Sequence, residues 1–351
     1  MENGARSAGT YTLLVTTTML MAGLMAGLMA GLAPPAQAGT VVDTLYFTTF
    51  GGGENIWQST ATYTGNGNAG NGTFTVTTPT GIAQTPGADG IVENPNNGQL
   101  LVGGQNTGSI YQVNPTNGGY TTLNAGMNTY EITVGPNGNH VWGGGSEGSA
   151  TTITAVPLNP IGGAPNVVSV SSANNGVTHI TFVPGQPAGM AFYTDGTDGG
   201  VGNFGTINLA TGVTTALLTN VPYAHGMVYD PFTGDLILAG GDTIAQISPT
   251  GAVLSTLALT PGQELDQGAV TGNGQLYWAD NTGSLVFVDY ANTGLIGAST
   301  NFVSDTYFIN SLDDIAPLVG SGGTNNVPEP ATLGLLGAGV VVLGALRRRA
   351  A

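Results

Sequence analysis

The chain has 351 residues, 59 of them glycine and none cysteine, with four basic residues set against 20 acidic ones. The basic residues are Arg6, Arg347, Arg348 and Arg349, so residues 39–326 hold every acidic group except Glu2 and Glu329, 18 in all, and no Lys or Arg. This composition excludes disulfides and cysteine-based zinc sites. It also excludes nucleic-acid binding, which needs basic side chains against phosphate.

Residues 1–38 read as a secretory signal. Arg6 supplies a positive start, Tyr11–Leu32 is apolar, Pro34-Pro35 breaks the helix, and Ala36-Gln37-Ala38 forms an A-x-A cleavage site at Ala36 and Ala38. The alternative is an uncleaved anchor, because the apolar run is long for a signal.

From about residue 40 to 326 no segment has a convincing helical period. Instead one unit recurs: strand, Pro/Asn/Gly turn, strand. Its clearest copies are Gly90–Gly104, Glu131–Gly144 and Gly226–Gly241, with weaker ones beginning at His179 and Gln267. A third strand follows (Ile110–Pro115, Thr206–Leu209, Ile244–Pro249), and fourth strands are predicted at Val213–Leu218 and Val253–Leu257. Onsets at Asp89, Tyr130, Thr178, His225, Asp266 and Asp313 are 41, 48, 47, 41 and 47 residues apart. Four short strands per ~40–45 residues is the blade of a β-propeller.

Residues 44–78 supply only three strands (Leu45–Phe50, Asn55–Thr62, Thr73–Thr78) and Asp314–Leu318 only one. Joined, they complete one blade and remove an exposed sheet edge. The expectation is an all-β, six-bladed propeller over residues 39–318, closed by N- and C-terminal strands, with seven blades as the alternative count. The unit resembles the repeats of six-bladed propellers of the NHL and gluconolactonase-like kind, best in His225–Gly251. That resemblance implies fold and no particular activity.

After a linker at 319–326, residues 327–351 begin with Val327-Pro328-Glu329-Pro330, continue as an apolar run from Ala331 to Leu346, and end on Arg347-Arg348-Arg349. Each proline fixes φ and turns its predecessor away from helix, so the motif is an extended strip. The sixteen-residue run would give roughly 24 Å of transmembrane helix, slightly short of a ~30 Å hydrocarbon core, and the arginines would stay cytoplasmic. The segment resembles the PEP-CTERM sorting signal. The resemblance implies an exosortase as processing partner, with the inner membrane as the station before cleavage. It also implies a Gram-negative, exopolysaccharide-producing host and a destination in the envelope, at the cell surface or in the extracellular matrix.

Two familiar patterns carry no chemistry. Gly65-x-Gly67-x-x-Gly70 precedes a strand and not the helix a dinucleotide site needs. Gly144-x-Ser146-x-Gly148 lacks the strand–turn–helix setting of a nucleophile elbow. Asp195–Gly199 is an acidic turn without the distal Glu of a calcium loop.

One constellation remains. The residues opening the innermost strands include Asp89, Glu131, His179, His225, Asp266, Asp313 and Asp314, which a propeller would gather around one mouth of its channel. Oxygen and imidazole donors suit calcium or a transition ion, and carboxylates beside imidazole also suit acid–base work. His140 falls outside this ring, and Trp57, Trp142 and Trp278 are expected to pack between blades. The sequence thus favours a non-enzymatic binding or structural module with a polysaccharide or surface partner. The alternative is a metal-dependent lactonase or other hydrolase working through the ring.

Overall fold

Runs such as Leu100–Gly103, Leu236–Gly240 and Gln275–Asp280 show almost no polar alternation because both of their faces are buried. A strand buried on both sides reads as a continuous apolar segment, and such strands lie at the centre of several sheets, whereas Gly39–Thr49 and Ile56–Gly65 alternate in burial. The computed structural model describes residues 39–50, 55–145, 151–170, 176–197 and 199–316, in which there are 25 strands and no α-helix. The signal segment, the linker and the sorting tail lie outside the described residues.

The strands form six sheets. The chain begins with β1 (Gly39–Thr49), β2 (Ile56–Gly65), β3 (Gly72–Val76) and the short β4 (Thr80–Ala83). Two four-stranded sheets follow: β5 (Ile91–Glu93), β6 (Leu100–Gly103), β7 (Ser109–Val113) and β8 (Tyr120–Asn124), then β9 (Ile132–Val134), β10 (His140–Gly144), β11 (Thr152–Pro157) and β12 (Asn166–Ser169). The fourth contains β13 (His179–Thr181), β14 (Met190–Thr194), β15 (Gly202–Asn208) and β16 (Thr214–Val221). The fifth contains β17 (Gly226–Asp230), β18 (Asp235–Gly240), β19 (Thr243–Ile247) and β20 (Val253–Ala258). The sixth contains β21 (Leu265–Val270), β22 (Gln275–Asp280), β23 (Ser284–Asp289) and β24 (Phe302–Tyr307), after which β25 (Leu312–Ile315) returns to the first sheet.

That return closes the ring. β25 pairs antiparallel with β1, placing Ile315 opposite Phe47 and Leu312 opposite Thr49, so the first blade runs β25-β1-β2-β3 with β4 also paired to β2. The blade count is six, with the closure expected from the two incomplete ends. β4 is an addition that the sequence pattern did not reveal.

The core is divided among the blade interfaces. Leu101, Ile110, Ile132 and Val141 fill the gap between the second and third blades. Their neighbours Leu100 and Val102 point the other way, onto Ile56 and Ala316 of the closing blade. Successive residues of a central strand therefore serve two different interfaces, as the period of two requires. At the closing seam, Phe74 and Phe287 stack with centroids 4.6 Å apart, and Tyr277 donates to Asp43 at 2.8 Å. Trp278 is fully buried between the fifth and sixth blades, while half-buried Trp142 crosses Phe182 edge-on at 6.2 Å between the third and fourth. Trp57 is half-buried and donates its indole N–H to Thr49.

Turns and close approaches account for part of the glycine content. Asp230 accepts from the Phe232 and Thr233 amides at 3.0 and 3.3 Å, and Gly234 follows at φ 82°, a left-handed conformation costly for other residues. Near the axis, a Cβ on Gly90 would lie 2.6 Å from the Tyr130 carbonyl oxygen, so inner strands meet at a distance only glycine allows.

Candidate functional site

The innermost strands are β25, β5, β9, β13, β17 and β21, each lying beside the next around the axis. Their opening residues bring the predicted ring together. At the mouth is an open bowl of about 310 Å³ lined by Asp89, Glu131, His225, Asp266 and Asp313 among others. Glu131, His225 and Asp266 offer ligand atoms within 4.8 Å of one another, and so do Asp89, Asp313 and Asp314. All six are buried.

His225 is held at both nitrogens. The carbonyl of Gly196, 3.1 Å from Nδ1, can only accept, so Nδ1 carries a proton. Nε2 stands 2.8 Å from Asp266 Oδ1. Burial alone would raise the Asp266 pKa. The charge and hydrogen bond of His225, with further bonds from Glu131 and Asn281, more than offset this and leave it below its ordinary value. Asp266 is the anionic centre of the bowl.

Glu131 is its counterpart. Its neighbours are Asp266 and, 3.2 Å away, Nδ1 of His179. That nitrogen already accepts the Met227 amide at 3.3 Å, so it is an acceptor and His179 is neutral. Burial, and the charge on His225, hold the His179 pKa down at about 3. Glu131 thus lies among acceptors, and burial and then Asp266 push its pKa well above the carboxyl range, so it is the protonated member. His179 lies against Glu131 and does not line the bowl.

Asp89 accepts from Gly90 N and Gln105 Nε2, both at 3.0 Å, yet burial and the charge of Asp266 raise its pKa to about 8. Asp314 accepts from Gln267 N at 3.0 Å, while its Oδ2 is buried without a hydrogen bond. Burial, then Glu131, Asp266 and Asp313, lift its pKa far above normal. Around neutral pH the site thus stores acid protons that a cation could displace.

Two features escaped the sequence reading. Gln267, beside Asp266, spans the axis: its Oε1 accepts from Ile91 N at 3.2 Å and its Nε2 donates to the Ile132 carbonyl at 3.5 Å. Gln105 and Asn281, from the turns between second and third strands, reach Asp89 and Asp266. They follow Gly103-Gly104 and Ala279-Asp280 at equivalent places, so aligning those turns as well as the onsets would have found them. Asp195 is a turn residue that accepts from Asn203 Nδ2 at 2.9 Å. Gly65–Gly70 joins two strands, as expected.

This fold and site define a six-bladed propeller with a buried acid cluster at one mouth. Residues 326–349 match the family model described as the PEP-CTERM protein-sorting motif, which marks the chain as an exported, envelope-associated substrate of exosortase processing. No curated protein matches the sequence. Among solved structures, a chain of a nidogen/laminin complex is similar at TM-score 0.55 and 15% identity, over 79% of this chain and 98% of that one. A protein of unknown function from Bacteroides thetaiotaomicron gives 0.51 and 15%, over 78% and 85%. A streptogramin B lyase gives 0.50 and 14%, over 81% and 93%. At such identities the likeness is one of fold.

Proposed function

We propose that this protein is a binding module of a Gram-negative cell envelope or its extracellular matrix, and that its channel mouth holds a divalent cation, calcium foremost. The observation that carries this reading is the charge balance of the bowl. Asp89, Glu131, Asp266 and Asp313 converge while residues 39–326 contain no Lys or Arg to neutralise them. Two ionised carboxylates at about 4 Å repel by on the order of 4 kcal/mol at intermediate dielectric. Protons relieve that repulsion in the apo protein, and a hard cation with oxygen ligands would relieve it better. Asp89, Glu131, Asp266 and Asp313 would supply the ligands, with Asp314 within reach of Asp89 and Asp313.

Melting the ectodomain with calcium and with chelator is the test. A cation bound only by the folded state adds about 2.7 kcal/mol at a hundredfold excess over its Kd. Calcium should raise Tm in the wild type and do so less in Asp266→Asn and Asp313→Asn. Identical melting in both conditions would overturn the reading. A second reading, acid–base hydrolysis of a lactone or sugar, is favoured by the protonated Glu131 beside the His225–Asp266 pair. Turnover of a lactone panel that vanishes in Glu131→Gln would support it.

A further inference from the structure

A second cavity, of about 450 Å³, opens between the third and fourth blades. It is bounded by the β9–β10 turn and by residues 182–190 between β13 and β14, at the strand ends opposite those that form the bowl. Its volume falls within the range of about 300–1,000 Å³ usual for small-molecule sites. Two properties distinguish it. No Asp, Glu, Lys or Arg lines it, in contrast to the carboxylate-lined bowl. Its polar groups are also largely unused within the protein.

Trp142 and Phe182 form the aromatic wall, crossing at 61° and both half-buried. Beside them are the Trp142 indole N–H, the His140 imidazole and the Asn166 carboxamide, none hydrogen-bonded to any other described group. Gln186 uses its Oε1 to accept from Val183 N at 3.2 Å, leaving its amide N–H groups for a ligand. Gly185 and Gly189, at φ 86° and 78°, would place a Cβ in open space, so the loop bounds the cavity without filling it.

We infer that this cavity binds a neutral saccharide. A pyranose presents an apolar C–H face that packs on an aromatic ring and a rim of hydroxyls that pair with amide, imidazole and indole groups. The absence of Asp, Glu, Lys and Arg from the lining disfavours uronic acids and amino sugars, whose charges would find no such partner. The inference is independent of the cation site, from which it differs in face, lining and chemistry.

The test is a titration of the purified ectodomain with cellohexaose, laminarihexaose, maltohexaose, isomaltohexaose and mannohexaose, read by tryptophan fluorescence and calorimetry. Oligogalacturonate and a proline nonapeptide serve as comparison ligands, and every arm is run in calcium and in chelator. At least one neutral hexasaccharide should bind. Its affinity should fall about tenfold or more in Asn166→Ala, whose exposed side chain can be lost without unfolding, and in Trp142→Phe, which keeps a ring in the wall. Calcium should not alter the result. The inference is overturned if no neutral hexasaccharide binds up to about 10 mM, if both variants bind like wild type, or if only the acidic sugar or the peptide binds.

Discussion

Without calcium, stability should fall as pH rises through neutrality, because the folded domain holds protons that the unfolded chain releases. Asp89 has an ordinary pKa of 3.8 and a folded value of about 8. The stability associated with its raised pKa is fully present below about pH 4 and is lost progressively as pH rises to about 8. His179 acts in the opposite sense, with a folded value of about 3 against 6.5, and destabilises the fold as pH drops below 6.5. Above pH 6.5 the unfolded His179 sheds its remaining charge, so toward pH 8 the raised carboxyls dominate. Each contributes at most about 1.4 kcal/mol per pH unit, or roughly 2 kcal/mol across the window for Asp89. A loss of that size corresponds to a Tm decrease of about 3–4 °C in a domain of this length. Glu131 and Asp314, raised in the same direction, would steepen the decline.

The perturbation that isolates Asp89 is Asp89→Asn, which keeps the acceptor for Gly90 N and lets the Gln105 amide rotate to accept the new one. Calorimetric Tm measured in chelator from about pH 6.5 to 8 should fall less steeply in this variant, by the amount given above. In calcium the wild-type curve should flatten, since the cation replaces the protons. A wild-type Tm that does not change with pH in chelator, or an Asp89→Asn slope equal to wild type, would refute the account of these carboxyls as stored acid.

Two other outcomes are expected. Deleting residues 327–351 should release soluble protein, and Ala at Pro328 and Pro330 should leave an unprocessed membrane form; cell fractionation with immunoblotting measures both. Gln267→Ala should lower stability by about 1–3 kcal/mol in denaturant titration, because Ile91 N–H and the Ile132 carbonyl lose their partner across the axis.

The blade architecture was legible because many central strands are apolar on both faces and the turns carry their own chemistry, as in Tyr229-Asp230-Pro231-Phe232-Thr233-Gly234. Strand onsets located the ring residues for the same reason. The direction of each side chain was less accessible. β21 shifts register between Leu265 and Gly268, and such an irregularity re-aims side chains, here at Asp266 and Gln267. The contacts of His179 are with Met227 and Glu131, each 48 positions away in the chain, and the Gln267 bridge joins residues 135 and 176 positions apart. Local periodicity carries no trace of contacts at that range. β4 escaped notice because it is four residues long and pairs beside β3 on the same strand.

The pairing of β25 with β1 has a consequence for the order of events during export. With an N-terminal signal leading, Gly39–Thr49 would cross the membrane early, yet their partner Leu312–Ile315 follows more than 260 residues later. The first blade is short of a strand through nearly all of translocation, and its unpaired edge must be kept from aggregating until the last blade has arrived. Only ten residues separate Ile315 from the sorting motif at 326, so ring closure and presentation of the tail to its processing enzyme become nearly simultaneous. If the tail holds the chain at the membrane, as its apolar run and terminal arginines imply, it would do so while the propeller acquires its final strand, and sorting and folding would share a checkpoint.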